Sequence, residues 1–257
     1  MLASKEAFAA VSREACVGFR SLEVASAAPS AAAIPDYLNT TYWWAYIHPR
    51  AVSLFEREWL INLILFGNYN KLRDLALDQL SHEHAYISGN TLQIACVYGT
   101  LTAKLIARML PDAQLKVVDI VPIQLENLSS KIELDARVSL ERSDSSKLPY
   151  ADASQDQALL FFLLHEQPEA TRRETLREAL RVVKPGGKVV IVDYHKPHAF
   201  HPLRPLLRQI FKHLEPFAMD LWQHGVEDYL PADIGFKSLK RSTYFGGLYQ
   251  VLVLERS

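Results

Sequence analysis

The sequence predicts an α/β fold in which a doubly wound, mostly parallel seven-stranded sheet ends in a C-terminal β-hairpin. After Gly89, short β-rich runs alternate with helical stretches, which is typical of a parallel sheet covered by helices on both faces. Residues 237–256 instead resemble two strands separated by Gly246 and Gly247, as in a hairpin that adds antiparallel strands at one edge. A helical N-terminal segment precedes this domain.

The elements of the sheet follow one another in a regular order. Helices are expected from about Thr102, from about Pro122 and near residues 169–183. The five alternating strands are predicted at TLQIACV, LKVVDI, RVSLER, QALLFFLL and GKVVIVDY. We therefore assign residues 89–257 to one cofactor-binding domain.

The N-terminal third has a different composition. Residues 1–34 are rich in Ala and Ser and are expected to form a flexible tail, whereas residues 35–88 are crowded with aromatic side chains and are expected to be helical. Apolar residues between 42 and 69 occupy more than one helical face. Two interpretations of this segment remain. It is either a helix packed between the domain and the tail, or a lid that covers a hydrophobic ligand or touches a membrane.

Charge and cysteine content exclude several classes of protein. Lys and Arg number 28 against 29 Asp and Glu, so no basic field attracts nucleic acid. Cys16 and Cys96 provide neither a disulfide framework nor a thiolate zinc site and are expected to be free thiols. Acidic residues in the tail are unlike a mitochondrial presequence, so a bacterial cytoplasmic location is expected, with the mitochondrial matrix as the alternative.

The turn after the first strand is the expected cofactor site, because ligands of such sheets bind outside the carboxyl ends of the strands. Asp119 ends the second strand, twenty positions after Gly99, where a carboxylate can accept hydrogen bonds from ribose hydroxyls. Asp144 follows the third strand, where its carboxylate can meet an adenine amino group. The alternative is that both residues serve only as turn or cap residues.

These features resemble class I S-adenosylmethionine-dependent methyltransferases from about Thr91 to Leu254. The strings LPYADASQDQALLFFLLHE and LREALRVVKPGGKVVIVDY resemble motifs of quinone methyltransferases. The first motif departs from VLDLGCGTG, with Gln93 replacing the acid and Tyr98 a small residue. The expected cofactor-binding positions are Gln93, Ala95, Val97, Gly99, Asp119, Ile120, Asp144 and Ser145.

From about Pro35 to the C-terminus the chain resembles the RquA family of rhodoquinone-biosynthesis enzymes. The strings NTTYWWAYIHP, WLINLILFGNYNKLRD, FFLLHEQP and VDYHKPHAFHPLR carry this resemblance. It implies replacement of a methoxy group of ubiquinone by an amino group from S-adenosylmethionine, with manganese. The expected partner is therefore a lipid quinone, with peripheral contact to the inner membrane through residues 42–69.

Four side chains follow the fourth and fifth strands, which are neighbours in this fold, and they are candidates for a metal site. They are His165, Glu166, Asp193 and His195. Imidazole and carboxylate ligands suit manganese or another divalent ion. Alternatively, the histidines are uncoordinated hydrogen-bonding or acid/base groups. The candidate catalytic residues are His165, Tyr98 and Tyr194, although either tyrosine can also be a packing residue.

The predicted function is conversion of ubiquinone to rhodoquinone. A quinone methyltransferase is the alternative, and a non-catalytic cofactor-binding member of a quinone-biosynthesis assembly is a third possibility. Product mass separates the three, because amino for methoxy lowers the mass, methyl transfer raises it and binding leaves it unchanged.

Overall fold

The computed structural model describes residues 33–82, 85–133 and 135–257. Most of the predicted tail, residues 1–32, and Cys16 therefore lie outside the described residues. The seven predicted strands are all present, and the mostly parallel sheet with its C-terminal hairpin is confirmed. The strands are β1 (Asn90–Ile94), β2 (Gln114–Asp119), β3 (Val138–Arg142), β4 (Gln155–Phe161), β5 (Val183–Tyr194), β6 (Phe236–Tyr244) and β7 (Tyr249–Arg256).

The strand order is β3-β2-β1-β4-β5-β7-β6. β1 to β5 are parallel, and β7 enters antiparallel between β5 and β6. The order reverses between β1 and β4, so the carboxyl ends of these two strands open a crevice. Gly246 and Gly247 form the predicted hairpin turn, and both have the positive φ angles that glycine adopts without strain.

Helices cover both faces of the sheet. β4 is buried over nearly its whole length because it has a covered face on each side, as parallel strands usually do. On one face, α4 (Tyr69–Leu80) contributes Leu72 and Leu77 to the core, and on the other α7 (Glu169–Val182) contributes Leu176 and Leu180. The helices of the domain are α5 (Leu101–Ala107), α6 (Pro122–Lys131), α7 (Glu169–Val182), α8 (Arg204–His213) and α9 (Ala218–His224).

The N-terminal segment is helical, as predicted, but it is divided into short helices. These are α1 (Asp36–Thr40), a π-helical turn (Trp43–Ile47), α2 (Pro49–Phe55), α3 (Glu58–Ile64) and α4 (Tyr69–Leu80). His48 is extended because it precedes a proline, and Gly67 has a φ of 78°, so the chain changes direction at both points. No helix of the described residues is long and apolar enough to cross a membrane.

Candidate active site

A cavity lies at the carboxyl ends of β1, β2, β4 and β5, where the strand order predicts a ligand. The domain contributes the end of each strand, including Asp119, Phe161 and Tyr194. The N-terminal segment closes the cavity from the other side with Tyr46 and Ile61. The segment therefore forms part of the cavity wall, and most of that wall is apolar.

The turn after β1 is stabilised by hydrogen bonds from buried side chains. The Gln93 amide donates to the carbonyl of Ala95 at 3.0 Å, and the Thr102 hydroxyl donates to Gln93 Oε1 at 3.0 Å. Ala95 has a φ of 74°, in the left-handed region that favours glycine. Ala95 and Val97 line the cavity, whereas Gln93 is buried behind the turn and does not.

Gly99 is required by a close contact on the back of the turn. A Cβ atom there would lie 2.6 Å from the Tyr69 hydroxyl. That hydroxyl donates to the carbonyl of Tyr98 at 3.0 Å and accepts from the N–H of Leu101 at 3.1 Å. Gly99 does not line the cavity, so its role in the structure is to let Tyr69 hold the turn.

Asp119 lies where a ribose-binding carboxylate is expected. Its Oδ2 accepts from the N–H of Cys96 and its Oδ1 from the N–H of Val121, both at 2.8 Å. The Asp119 side chain lines the cavity, so its carboxylate is accessible to a ligand there. Burial raises the pKa of Asp119 to about 6, although hydrogen bonds from the backbone of Val121, Cys96 and Ile120 and from the Cys96 thiol oppose this effect.

The other predicted adenosine-binding positions line the same cavity. They are Ile120, Asp144 and Ser145. Asp144 Oδ1 accepts from the N–H and the hydroxyl of Ser146, at 2.8 and 2.7 Å, which fixes the carboxylate. Two oriented carboxylates, one at the end of β2 and one after β3, line the cavity with the apolar Ile120 and Val121, and this arrangement fits the ribose and adenine of S-adenosylmethionine.

His165 and Asp193 form a buried pair beside this cavity. Nδ1 of His165 lies 2.9 Å from Oδ1 of Asp193. Asp193 also accepts from the N–H groups of Leu164, His165 and Tyr194, so its carboxylate is fixed by the backbone. Because Nδ1 is occupied, Nε2 is the nitrogen of His165 that remains for proton transfer, and it lies 3.6 Å from Oε1 of Glu166.

Burial and neighbouring charges shift the pKa values of this group. Burial alone lowers the pKa of His165, but the Asp193 carboxylate outweighs it by charge and hydrogen bond and raises that pKa to about 9. Burial raises the pKa of Glu166 to about 8, against the opposing effects of His165 and the Tyr46 hydroxyl. The site therefore holds protons near neutral pH, as acid/base catalysis requires.

Both candidate tyrosines line the cavity. The Tyr98 hydroxyl donates to the carbonyl of Ala45 and accepts from the Gln124 amide, each at 2.7 Å. Its ring stacks on Tyr46, with 5.9 Å between centroids. The ring of Tyr194 lies 4.8 Å from that of His165. Tyr98 thus connects the turn after β1, here called the cofactor turn, to the N-terminal segment. Tyr194 packs against His165, the candidate base.

The four candidate metal ligands do not come together. His195 lies beyond the end of β5, its Nδ1 is 2.9 Å from the carbonyl of Gly247, and it lines a different depression with Trp222. His165, Glu166 and Asp193 remain close. The Asp193 carboxylate, however, already forms hydrogen bonds with His165 and with three backbone N–H groups. No group of three or more His, Cys, Asp or Glu side chains in the described parts of the chain is arranged to hold a metal ion. The predicted manganese site therefore has no support there.

Sequence reasoning missed the groups that the N-terminal segment brings to the site. The Tyr46 hydroxyl donates to Oε1 of Glu166, which lies 120 positions away along the chain. Glu56 accepts from the N–H of Gly99 at 3.1 Å and pairs with Lys131 at 2.8 Å. No local pattern signals such contacts, because they depend on how the short helices fold back.

The comparisons with known proteins agree with this geometry. Residues 91–187 match the family described as "Methyltransferase domain". The "Ubiquinone/menaquinone biosynthesis C-methyltransferase UbiE" of Geotalea uraniireducens is 24% identical over 218 residues, which cover 77% of this chain and 91% of that protein. The "Demethylmenaquinone methyltransferase" of Lactobacillus johnsonii is 29% identical over 171 residues, which cover 65% of this chain and 67% of that protein.

A solved structure shows the same fold. The N-methyltransferase NodS from Bradyrhizobium japonicum WM9, in complex with S-adenosyl-l-homocysteine, aligns with a TM-score of 0.54 and 14% identity, over 80% of this chain and 97% of that chain. This likeness concerns the fold alone. Residues 91–187 thus match a methyltransferase domain, and the chain is similar in sequence to quinone methyltransferases.

Proposed function

We propose that this protein uses S-adenosylmethionine to modify the ring of a lipid quinone. One observation carries the proposal: His165, paired with the buried Asp193, lines the same cavity as Asp119 and Asp144, the carboxylates expected to bind adenosine. An acid/base group is thereby placed beside the expected cofactor site, inside mostly apolar walls that suit an aromatic ring. The names of the relatives from Geotalea and Lactobacillus support a quinone as the substrate class.

Transfer of a methyl group to a ring carbon is the reaction that these relatives favour. S-adenosylmethionine supplies the electrophilic methyl group when it is bound. His165 accepts the proton of a ring hydroxyl, and Asp193 stabilises the imidazolium that forms. The loss of that proton makes the neighbouring ring carbon nucleophilic. Transfer of the methyl group to that carbon would leave S-adenosylhomocysteine. Loss of the proton of that carbon to water and return of the His165 proton to the ring oxygen would restore the aromatic hydroquinone.

Replacement of a ring methoxy group by an amino group is the second candidate. The altered turn favours it, since Tyr98 fills space where methyltransferases carry a small residue and neutral Gln93 replaces the acid. Without that acid, the charged form of the cofactor's amino group is less stabilised, and only the neutral amine can attack the ring carbon. Methoxide would leave that carbon as methanol, and the bond between the nitrogen and the α carbon of the cofactor would have to break. The resemblance to the rhodoquinone-biosynthesis family supports the same reaction.

The N-terminal segment is suited to the isoprenoid tail of such a substrate. Ile61 and Leu65 of this segment line the cavity, while Trp59 and Leu63 lie on the outside with exposed fractions of 62% and 64%. An apolar wall that continues onto an exposed apolar surface offers a tail a path to a lipid bilayer. A location at the surface of the bacterial inner membrane is therefore part of the proposal.

Isotope transfer tests the proposal directly. The purified protein is incubated with a short-chain ubiquinol, or with the same quinol lacking the ring methyl group, and with S-adenosylmethionine labelled with ¹³C in the methyl group or ¹⁵N in the amino group. A heavier product with ¹³C supports methyl transfer, and a lighter product with ¹⁵N supports amino transfer. His165→Ala serves as the inactive control, because it lacks the candidate base. If neither label enters a quinone of any tail length, the proposed function is wrong.

A further inference from the structure

Glu215 is an acidic residue in the cavity that the proposed chemistry does not use. It lies on the short turn between α8 and α9 and lines the cavity together with His165, Glu166 and Tyr194. Its Oε2 atom is buried and has no hydrogen-bond partner among the described residues. An unpartnered buried carboxyl oxygen is costly, so its presence in a binding cavity calls for a ligand that supplies a donor.

The turn that carries Glu215 is fixed from several sides. The N–H of Ala218 donates to the carbonyl of Glu215 at 3.0 Å, which begins α9. Nη2 of the buried Arg172 donates to the carbonyl of Phe217 at 2.9 Å. The ring of Phe217 packs against Tyr37, with 6.2 Å between centroids. Because the backbone is held in this way, the unpartnered oxygen belongs to a rigid element and not to a loose surface loop.

Two possible donors within the cavity are already engaged. Nδ1 of His165 is paired with Asp193, and the Tyr46 hydroxyl is bonded to Glu166. Glu215 also acts electrostatically on the group, because its charge contributes to the raised pKa of His165. Burial raises the pKa of Glu215 itself, and the positive charge on His165 partly offsets this effect. Glu215 and His165 line the same cavity, so one substrate ring there can contact both side chains.

We propose that Glu215 contacts the substrate by accepting a hydrogen bond from a ring hydroxyl, and that it thereby selects the reduced hydroquinone over the quinone. This inference rests on the proposed function. A hydroquinone hydroxyl donates to a carboxylate, whereas a quinone carbonyl brings a second acceptor to it and is repelled. Specificity of this kind arises because the wrong redox form leaves a buried charge unpartnered.

The test measures binding of both redox forms to the full chain. Anaerobic calorimetry at pH 8 gives the Kd of ubiquinone with a single isoprenoid unit and of its hydroquinone. The wild type is expected to bind the hydroquinone about tenfold more tightly or better. Glu215→Leu should remove this preference. Glu215→Gln should reduce or reverse it, because an amide can donate to a carbonyl. Glu174→Gln, on the exposed face of α7, is the matched control and should keep the wild-type ratio.

Stability separates a substrate contact from a structural role. Since Oε2 of Glu215 has no partner to lose, Glu215→Leu should keep or raise the Tm of the ligand-free protein. An unchanged ratio of Kd values in Glu215→Leu overturns the inference at any Tm, and a lower Tm in addition indicates a structural role. Equal binding of both redox forms by the wild type also overturns it but leaves the proposed function standing. If the wild type binds neither form, the proposed function and the inference both fail.

Discussion

The pairing of His165 with Asp193 predicts a pH-dependent loss of stability on replacing Asp193 with Asn. The pKa of His165 is raised from its ordinary value of 6.5 to about 9, chiefly through Asp193 acting against the effect of burial. At 1.36 kcal/mol for each pH unit, this difference corresponds to about 3 kcal/mol. A histidine with a raised pKa stabilises the folded state fully below pH 6.5, and this contribution is lost as the pH rises through 9.

The variant has a second cost that does not depend on the protonation of His165. Asp193 accepts from the backbone N–H groups of Leu164, His165 and Tyr194, and an amide offers only one acceptor oxygen to them. A backbone donor left without its partner costs about 1 to 3 kcal/mol. Asp193→Asn should therefore cost about 4 to 6 kcal/mol below pH 6.5, and about 3 kcal/mol less above pH 9.

Chemical denaturation at pH 6 and pH 9.5 measures this difference, and NMR titration of the imidazole gives the pKa of His165 directly. His165→Gln is the matched background, in which the cost of Asp193→Asn should be the same at both pH values. In the wild type, turnover by a neutral His165 base should rise with pH up to about 9. An imidazole pKa that is the same with Asp193 and with Asn at this position would refute the reasoning.

Three further predictions concern the cofactor, the tail and the turn. Asp119→Ala should weaken S-adenosylmethionine binding about tenfold or more in calorimetry. The affinity of the wild type for S-adenosylmethionine should fall below pH 6, because the Asp119 carboxyl then takes up a proton. Trp59→Ala combined with Leu63→Ala should reduce turnover of long-tailed quinones more than short-tailed ones at an unchanged Tm, because both side chains are exposed. Lys131→Met should lower the free energy of unfolding by about 1 to 3 kcal/mol, measured in urea, because it leaves Glu56 without its cation.

The sequence is most informative where a local rule determines the structure. Alternating β-rich and helical stretches predict the parallel order, because a strand, a helix and a second parallel strand form a right-handed unit. The interval between Gly99 and Asp119 predicts that an acid ends β2, and the structure places that acid in the cavity. Gly246 and Gly247 predict the hairpin for the same local reason, since both have positive φ.

Prediction is poorer where a residue lies just outside regular structure. We expected His195 to join His165 because residues at the ends of neighbouring strands tend to converge. β5 ends at Tyr194, however, and the backbone N–H of His195 donates to the carbonyl of Leu248 at 2.7 Å. The ring then turns toward Gly247. One residue beyond the strand, the alternation of side chains no longer determines the direction of a ring.

The contacts of the N-terminal segment could not be predicted for a different reason, and they connect the two halves of the candidate site. Glu56 accepts a hydrogen bond from the N–H of Gly99 on the cofactor turn. The Tyr46 hydroxyl donates a hydrogen bond to Glu166, beside the candidate base. Tyr98 joins these two contacts, because its ring stacks on both Tyr46 and Phe55. A shift of this segment must therefore change the cofactor turn and the acid/base group together. The bulky Tyr98 that departs from the methyltransferase pattern is thus the residue through which the segment is coupled to the cofactor site.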